Sequence, residues 1–110
     1  MIKQINAEEL LKKIENFENF KLVDVLLLSG YEKWHIPGAI NIRINELANL
    51  ALKMLDKYEE IIVYCASFEC QSSARAAKIL ETLGFTNISE YKGGKKDWME
   101  KSYPIEKGSK

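Results

Sequence analysis

Apolar positions along the chain switch repeatedly between a helical period and the short runs of buried strands, and each switch marks an element. Leu10, Leu11, Ile14 and Phe17 recur at helical spacing behind Asn6, and Glu9 lies three residues beyond that asparagine. Asn and Glu at that spacing can exchange two hydrogen bonds with a first helical turn, so Asn6 is read as an N-cap. Phe20 to Leu28 contains Lys21-Leu22-Val23-Asp24-Val25, a buried strand that runs into an apolar loop. Pro37-Gly38 marks a turn, and Ala39-Ile40-Asn41-Ile42 a short strand. Ile44 to Tyr58 is helical again, with Asn45 as cap and Leu47, Leu50, Ala51, Met54 and Leu55 on the inner face. Glu60 to Tyr64 carries Ile61-Ile62-Val63-Tyr64 and is the central strand. Ser73 to Leu83 is a helix that stops at Gly84, a residue suited to the left-handed position after a helix end. Asn87 to Tyr91 is a last short strand. Gly93-Gly94 turns into a helix around Lys96 to Lys101, and Tyr103-Pro104-Ile105 closes the fold.

Strands alternating with helices predict an α/β fold with a mainly parallel sheet. In such sheets, sites form beyond the C-terminal ends of the strands. Asp24 lies near one such end and Cys65 terminates another. With 110 residues the chain is expected to form one domain, with a core over about 5–105 and a frayed tail at 106–110.

Composition narrows the chemistry. Hydrophobic residues make up 46% and charged residues 29%, an ordinary globular balance. Lys plus Arg and Asp plus Glu are 16 each, so no net charge draws the chain to nucleic acid or an anionic membrane. The first residues lack the apolar core of a secretory leader, and no apolar stretch approaches membrane-spanning length. With two cysteines, this predicts a reduced, cytoplasmic setting and no disulfide scaffold. One histidine and two cysteines supply too few ligands for a zinc site, and no cofactor is expected.

The candidate chemistry centres on Cys65. It follows an apolar strand and precedes the polar loop Ala66-Ser67-Phe68-Glu69-Cys70-Gln71-Ser72 and the helix from Ser73. Helix N-termini carry unpaired N–H groups and partial positive charge, which favour thiolate over thiol. On that ground Cys65 is expected to ionise more readily than a free thiol and to act as a nucleophile on sulfur or phosphorus. The same position also suits a small buried side chain.

Three motifs in register resemble rhodanese-like domains. The first is Leu22-Val23-Asp24-Val25 with Tyr31, Trp34-His35-Ile36-Pro37-Gly38-Ala39-Ile40-Asn41. The second is Val63-Tyr64-Cys65 with Ser73, Ala76-Ala77, Leu80 and Leu83-Gly84-Phe85. The third is Tyr91-Lys92-Gly93-Gly94, Trp98 and Tyr103-Pro104-Ile105. The resemblance implies a three-layer α/β fold with a central five-stranded, mainly parallel sheet and helices on both faces. It also implies a sulfurtransferase or persulfide carrier in which Cys65 takes sulfane sulfur from thiosulfate, a persulfide or a polysulfide. The acceptor is then a thiol or a protein. Loop residues Ala66, Ser67, Phe68, Glu69, Gln71, Ser72 and Ser73 form the substrate cradle, and Asp24 and His35 are supporting residues, Asp24 organising loops and His35 fixing a turn.

The loop departs from the commonest pattern of that family. It lacks the usual glycine and arginine and is about two residues longer than the common sulfurtransferase loop. Gln71 stands where the phosphatases of the superfamily carry arginine, so no bidentate clamp for a phosphoryl group exists and phosphatase activity is not expected. Glu69 inside the loop would oppose a thiolate and is expected to turn outward. Cys70 is a candidate resolving thiol, able to attack a Cys65 persulfide if the two Cα atoms approach within about 7 Å. Two alternatives therefore stand beside sulfur transfer: a thiol–disulfide module using Cys65 and Cys70, and a catalytically silent domain that binds a protein partner. Lys92 to Lys96 is read as a solvated basic turn.

Overall fold

Elements alternate along the chain much as the apolar pattern predicts. The computed structural model describes residues 1–108. In order it contains β1 (Ile2–Gln4), α1 (Ala7–Glu15), β2 (Lys21–Asp24), α2 (Leu28–Lys33) and β3 (Ile40–Asn41). There follow α3 (Ile44–Met54), β4 (Ile61–Tyr64), α4 (Ser72–Thr82), β5 (Ile88–Tyr91) and α5 (Gly94–Glu100). The five strands form one sheet in the order β1-β5-β4-β2-β3, and every pair is parallel. Asp24 pairs with Tyr64, and Tyr64 with Tyr91, so the C-terminal ends of β2, β4 and β5 lie side by side.

β4 is buried on both faces, which is why its sequence is continuously apolar instead of alternating. Ile61, Val63 and Cys65 pack with Leu47 and Ala51 of α3 and Ala76, Ala77 and Leu80 of α4. Ile62 and Tyr64 pack on the opposite side with Ala7 and Leu10 of α1, Tyr31 of α2 and Trp98 of α5. Each fully buried aliphatic or aromatic side chain contributes about 1.5–3 kcal/mol of transfer free energy, so this division holds helices on both faces.

The helix ends have local causes. Asn6 accepts from the Glu9 N–H at 2.8 Å, and the Glu9 carboxylate accepts from the Asn6 N–H at 3.0 Å, completing the expected capping box. After α4, Gly84 takes φ +99°. Its N–H donates to the Glu81 carbonyl at 3.1 Å, and the Phe85 N–H donates to Leu80 at 3.0 Å. These two bonds satisfy carbonyls the helix end would otherwise leave unpaired.

Several expectations need correction. β1 adds an edge strand, and α2 occupies part of what reads as an apolar loop. α3 begins after Arg43, so Asn45 lies inside the helix instead of capping it. The helix ends at Met54, not Tyr58, and that methionine is exposed where the turn opens. α5 begins at Gly94. The expected frayed tail is tied down through Gly108. His35 and Glu106 exchange two backbone hydrogen bonds at 2.8 and 2.9 Å, and the Gly108 N–H donates to Glu32 at 2.9 Å. Ser109 and Lys110 lie outside the described residues. Among the described residues, no helix is long and apolar enough to cross a membrane.

Candidate active site

The loop after β4 is clamped from α5. The Lys95 N–H donates to the Cys65 carbonyl at 3.0 Å, and the Lys96 N–H donates to the Ala66 carbonyl at 2.8 Å. This approach needs a glycine at position 94, where φ is +65°. A Cβ there would run into the Cys65 carbonyl oxygen and come within 2.9 Å of the Ala66 carbonyl carbon and the Ser67 nitrogen. Within the loop the Cys70 N–H donates to Ser67 at 3.1 Å, and the Arg75 N–H to Gln71 at 3.0 Å opens α4. Ala66, Phe68, Glu69 and Gln71 are exposed, while Ser67, Cys70 and Ser72 are half-buried. Cys65 and Ser73 have no exposed surface.

The Cys65 sulfur has mixed neighbours. The Ser73 N–H donates to Sγ at 3.4 Å, Ser73 Oγ lies at 3.4 Å, and the Cys70 carbonyl oxygen at 3.5 Å. Burial pushes the Cys65 thiol up, and its hydrogen bond to Cys70 adds to this, outweighing the Ser73 N–H on its sulfur. Burial thus works against the ready ionisation expected of Cys65. Burial raises the Cys70 thiol, but bonds from Cys65, from the Ala66 and Ser72 N–H groups and from the Ser72 hydroxyl outweigh it and hold it below its usual range. Both thiols are free. Cys70 is the more exposed of the pair.

Glu69 turns outward as expected. Its own backbone N–H, the Ser67 hydroxyl and the charge of Lys96 hold its carboxyl below the usual range. Asp24 has no exposed surface. Its Oδ1 accepts from the Leu26 N–H at 2.9 Å, and Oδ2 accepts from the Tyr64 hydroxyl at 2.9 Å. The Tyr64 oxygen in turn accepts from the Ile36 N–H at 3.1 Å. Asp24 thus ties β2 to β4 and to the segment after α2. Burial raises its carboxyl above the usual range against the pull of those bonds and of Lys95. His35 stacks on Tyr31 at 3.8 Å, with Nδ1 2.8 Å from the Tyr31 carbonyl oxygen and Nε2 3.5 Å from Glu106. These contacts fix a turn.

Two charged residues escape the sequence reading. Glu90, on β5, is only 4% exposed, and its Oε2 accepts from the Ser73 hydroxyl at 2.7 Å. A carboxylate inside a short strand flanked by buried residues must find partners, and that was the available signal. Lys95 corrects the solvated-turn reading. It is 9% exposed, donates to the Gly30 carbonyl at 2.9 Å and lies 4.5 Å above the Trp34 ring. Among the described residues, no group of three or more His, Cys, Asp or Glu side chains could hold a metal ion.

The family profile described as a rhodanese-like domain matches residues 6–101. YrkF of Bacillus subtilis is 31% identical over 101 residues, covering 92% of this chain and 53% of its own length. The chain thus spans about half of that relative. The thiosulfate sulfurtransferase PspE of Escherichia coli is 36% identical over 76 residues, 68% of this chain and 70% of PspE. The solution structure of the rhodanese-like domain of the Anabaena protein Alr3790 superposes with a TM-score of 0.87 at 34% identity, covering 99% of this chain and 82% of that domain.

Proposed function

The chain belongs to the rhodanese-like domain family, and from that premise we propose that it transfers sulfane sulfur through a persulfide on Cys65. The observation that carries this reading is the position of Cys65, at the sheet's C-terminal edge, with its backbone clamped by α5 and the Ser73 N–H on its sulfur. The Cys65 thiolate attacks the outer sulfur of a donor. The donor's S–S bond breaks and its remaining fragment leaves, a thiolate from a persulfide or sulfite from thiosulfate. The terminal sulfur of the persulfide anion needs N–H donors, which the amides of the loop and of the start of α4 would supply. An acceptor thiolate or cyanide then takes that sulfur and restores Cys65. Without an arginine in the loop, persulfide or polysulfide donors suit this cradle better than doubly charged thiosulfate. Cys65 has no exposed surface, so a donor reaches it only when the loop moves.

A second reading rests on the closeness of Cys70 to the Cys65 sulfur, with its carbonyl oxygen 3.5 Å away. The Cys70 thiolate can attack the inner sulfur of a Cys65 persulfide, which expels hydrosulfide and leaves a disulfide for an external thiol to reduce. Sulfur transfer to cyanide separates the readings. Cys65→Ser is expected to abolish turnover with both donors, and Cys70→Ser to retain it. A parent protein that releases hydrosulfide in place of thiocyanate, and switches to thiocyanate in Cys70→Ser, would favour the disulfide route.

A further inference from the structure

A buried carboxylate that the sulfur chemistry does not use lies behind the loop serine. Glu90 Oε1 accepts from Gln4 Nε2 at 3.0 Å, and Oε2 stands 2.7 Å from Ser73 Oγ and 3.8 Å from Lys92 Nζ. An ionised carboxylate only accepts, so the 2.7 Å contact takes the Ser73 hydroxyl proton. Such charge-assisted O–H···O⁻ bonds are among the strong ones. Ser73 Oγ is then left with lone pairs, and these face the Cys65 sulfur at 3.4 Å. The Cys70 carbonyl oxygen, 3.5 Å from the same sulfur, also only accepts. One N–H, that of Ser73, favours the thiolate against two oxygen acceptors that favour the thiol.

We propose that Glu90 is a positioning residue that turns the Ser73 hydroxyl away from Cys65 and so holds this thiol protonated in the resting protein. A hydroxyl donating to sulfur would favour the anion; a hydroxyl committed to Glu90 favours S–H. The thiolate is the form that oxidants and alkylators attack, so the pair keeps Cys65 in reserve until a donor opens the loop. A carboxylic acid is a stronger acid than a thiol, so a proton relay from Cys65 through Ser73 to Glu90 would run uphill and is set aside. The groups facing Glu90 are Gln4 from β1, Ser73 from α4 and Lys92 beyond β5, with Cys65 and Cys70 on the far side of the serine. Lys92 is half-buried with its side chain reaching solvent, so its charge is partly screened.

The role takes its purpose from the sulfur-transfer reading, but the protonation itself is measured without a sulfur donor. Glu90→Gln keeps a carbonyl oxygen for Gln4 and puts an NH₂ group where Oε2 stood. That group donates to Ser73 Oγ and sends the hydroxyl proton toward Cys65. Iodoacetamide alkylation of the intact chain across a pH series reads the result. Mass spectrometry after cleavage at Phe68 separates Cys65 from Cys70. The Cys65 midpoint is expected to fall by about one pH unit, with alkylation at pH 7 about tenfold faster. Glu90→Met removes the acceptor without supplying a donor and should move the midpoint the same way, so the test survives misfolding of one variant. In a Ser73→Ala background the effect of Glu90→Gln should shrink by at least half. An unchanged or raised midpoint in a folded Glu90 variant would overturn the proposal. So would an undiminished shift without the Ser73 hydroxyl, which would assign the effect to charge acting through space.

Discussion

Asp24 ties three segments of the chain together at a cost that depends on pH. Its carboxyl is raised in the folded protein, chiefly by burial. The stability it contributes is fully present below the unfolded carboxylate value of about 3.9 and is lost as pH rises through the raised folded value. The stability of the protein relative to Asp24→Asn should therefore fall as pH climbs from about 4 toward neutrality. Urea midpoints of both proteins across that range check this, and a parent that gains stability on the variant as pH rises would contradict it. Residues at this scale were unequally legible. Cys65 stood out because a thiol between an apolar strand and a helix start is uncommon, and Asp24 because it ends a strand. The burial that opposes ionisation of Cys65 comes from packing against α3 and α4, which leaves no local trace in the loop sequence. Glu90 was passed over because its partner Ser73 is seventeen positions away and on another element.

At the scale of elements, the loop after β4 depends on how closely α5 can approach it. Gly94→Ala combines a left-handed backbone with a collision against the Cys65 carbonyl and should destabilise the fold by about 2 kcal/mol or more. Gly30→Ala is the contrast. It lies within α2 and its Cβ would meet open space, so it should stabilise by about 0.5–1 kcal/mol. Denaturant midpoints of the two variants test both signs, and equal effects would refute the account of the clamp. The long helices and β4 were legible because burial imposes period and continuity on many residues together. α2 was not. It has six residues, a glycine inside and no side-chain cap, so its helicity comes from packing Tyr31 into the core. β1 has three residues, two of them exposed, and exists through its pairing with β5.

For the molecule as a whole, parallel strands bring the ends of β2, β4 and β5 to one edge, and the candidate site follows from that edge. Alternation of strands and helices made the α/β class readable. The strand order was not readable from periodicity, because pairing joins residues as far apart as Lys3 and Ser89. The central claim is that Cys65 carries the transferred sulfur, and intact mass with site mapping after exposure to a persulfide donor tests it most directly. The account predicts a gain of one sulfur atom on the peptide ending at Phe68, reversed by cyanide, absent in Cys65→Ser and retained in Cys70→Ser. Added sulfur found on Cys70 in the Cys65→Ser protein, or none on Cys65 in the Cys70→Ser protein, would contradict it.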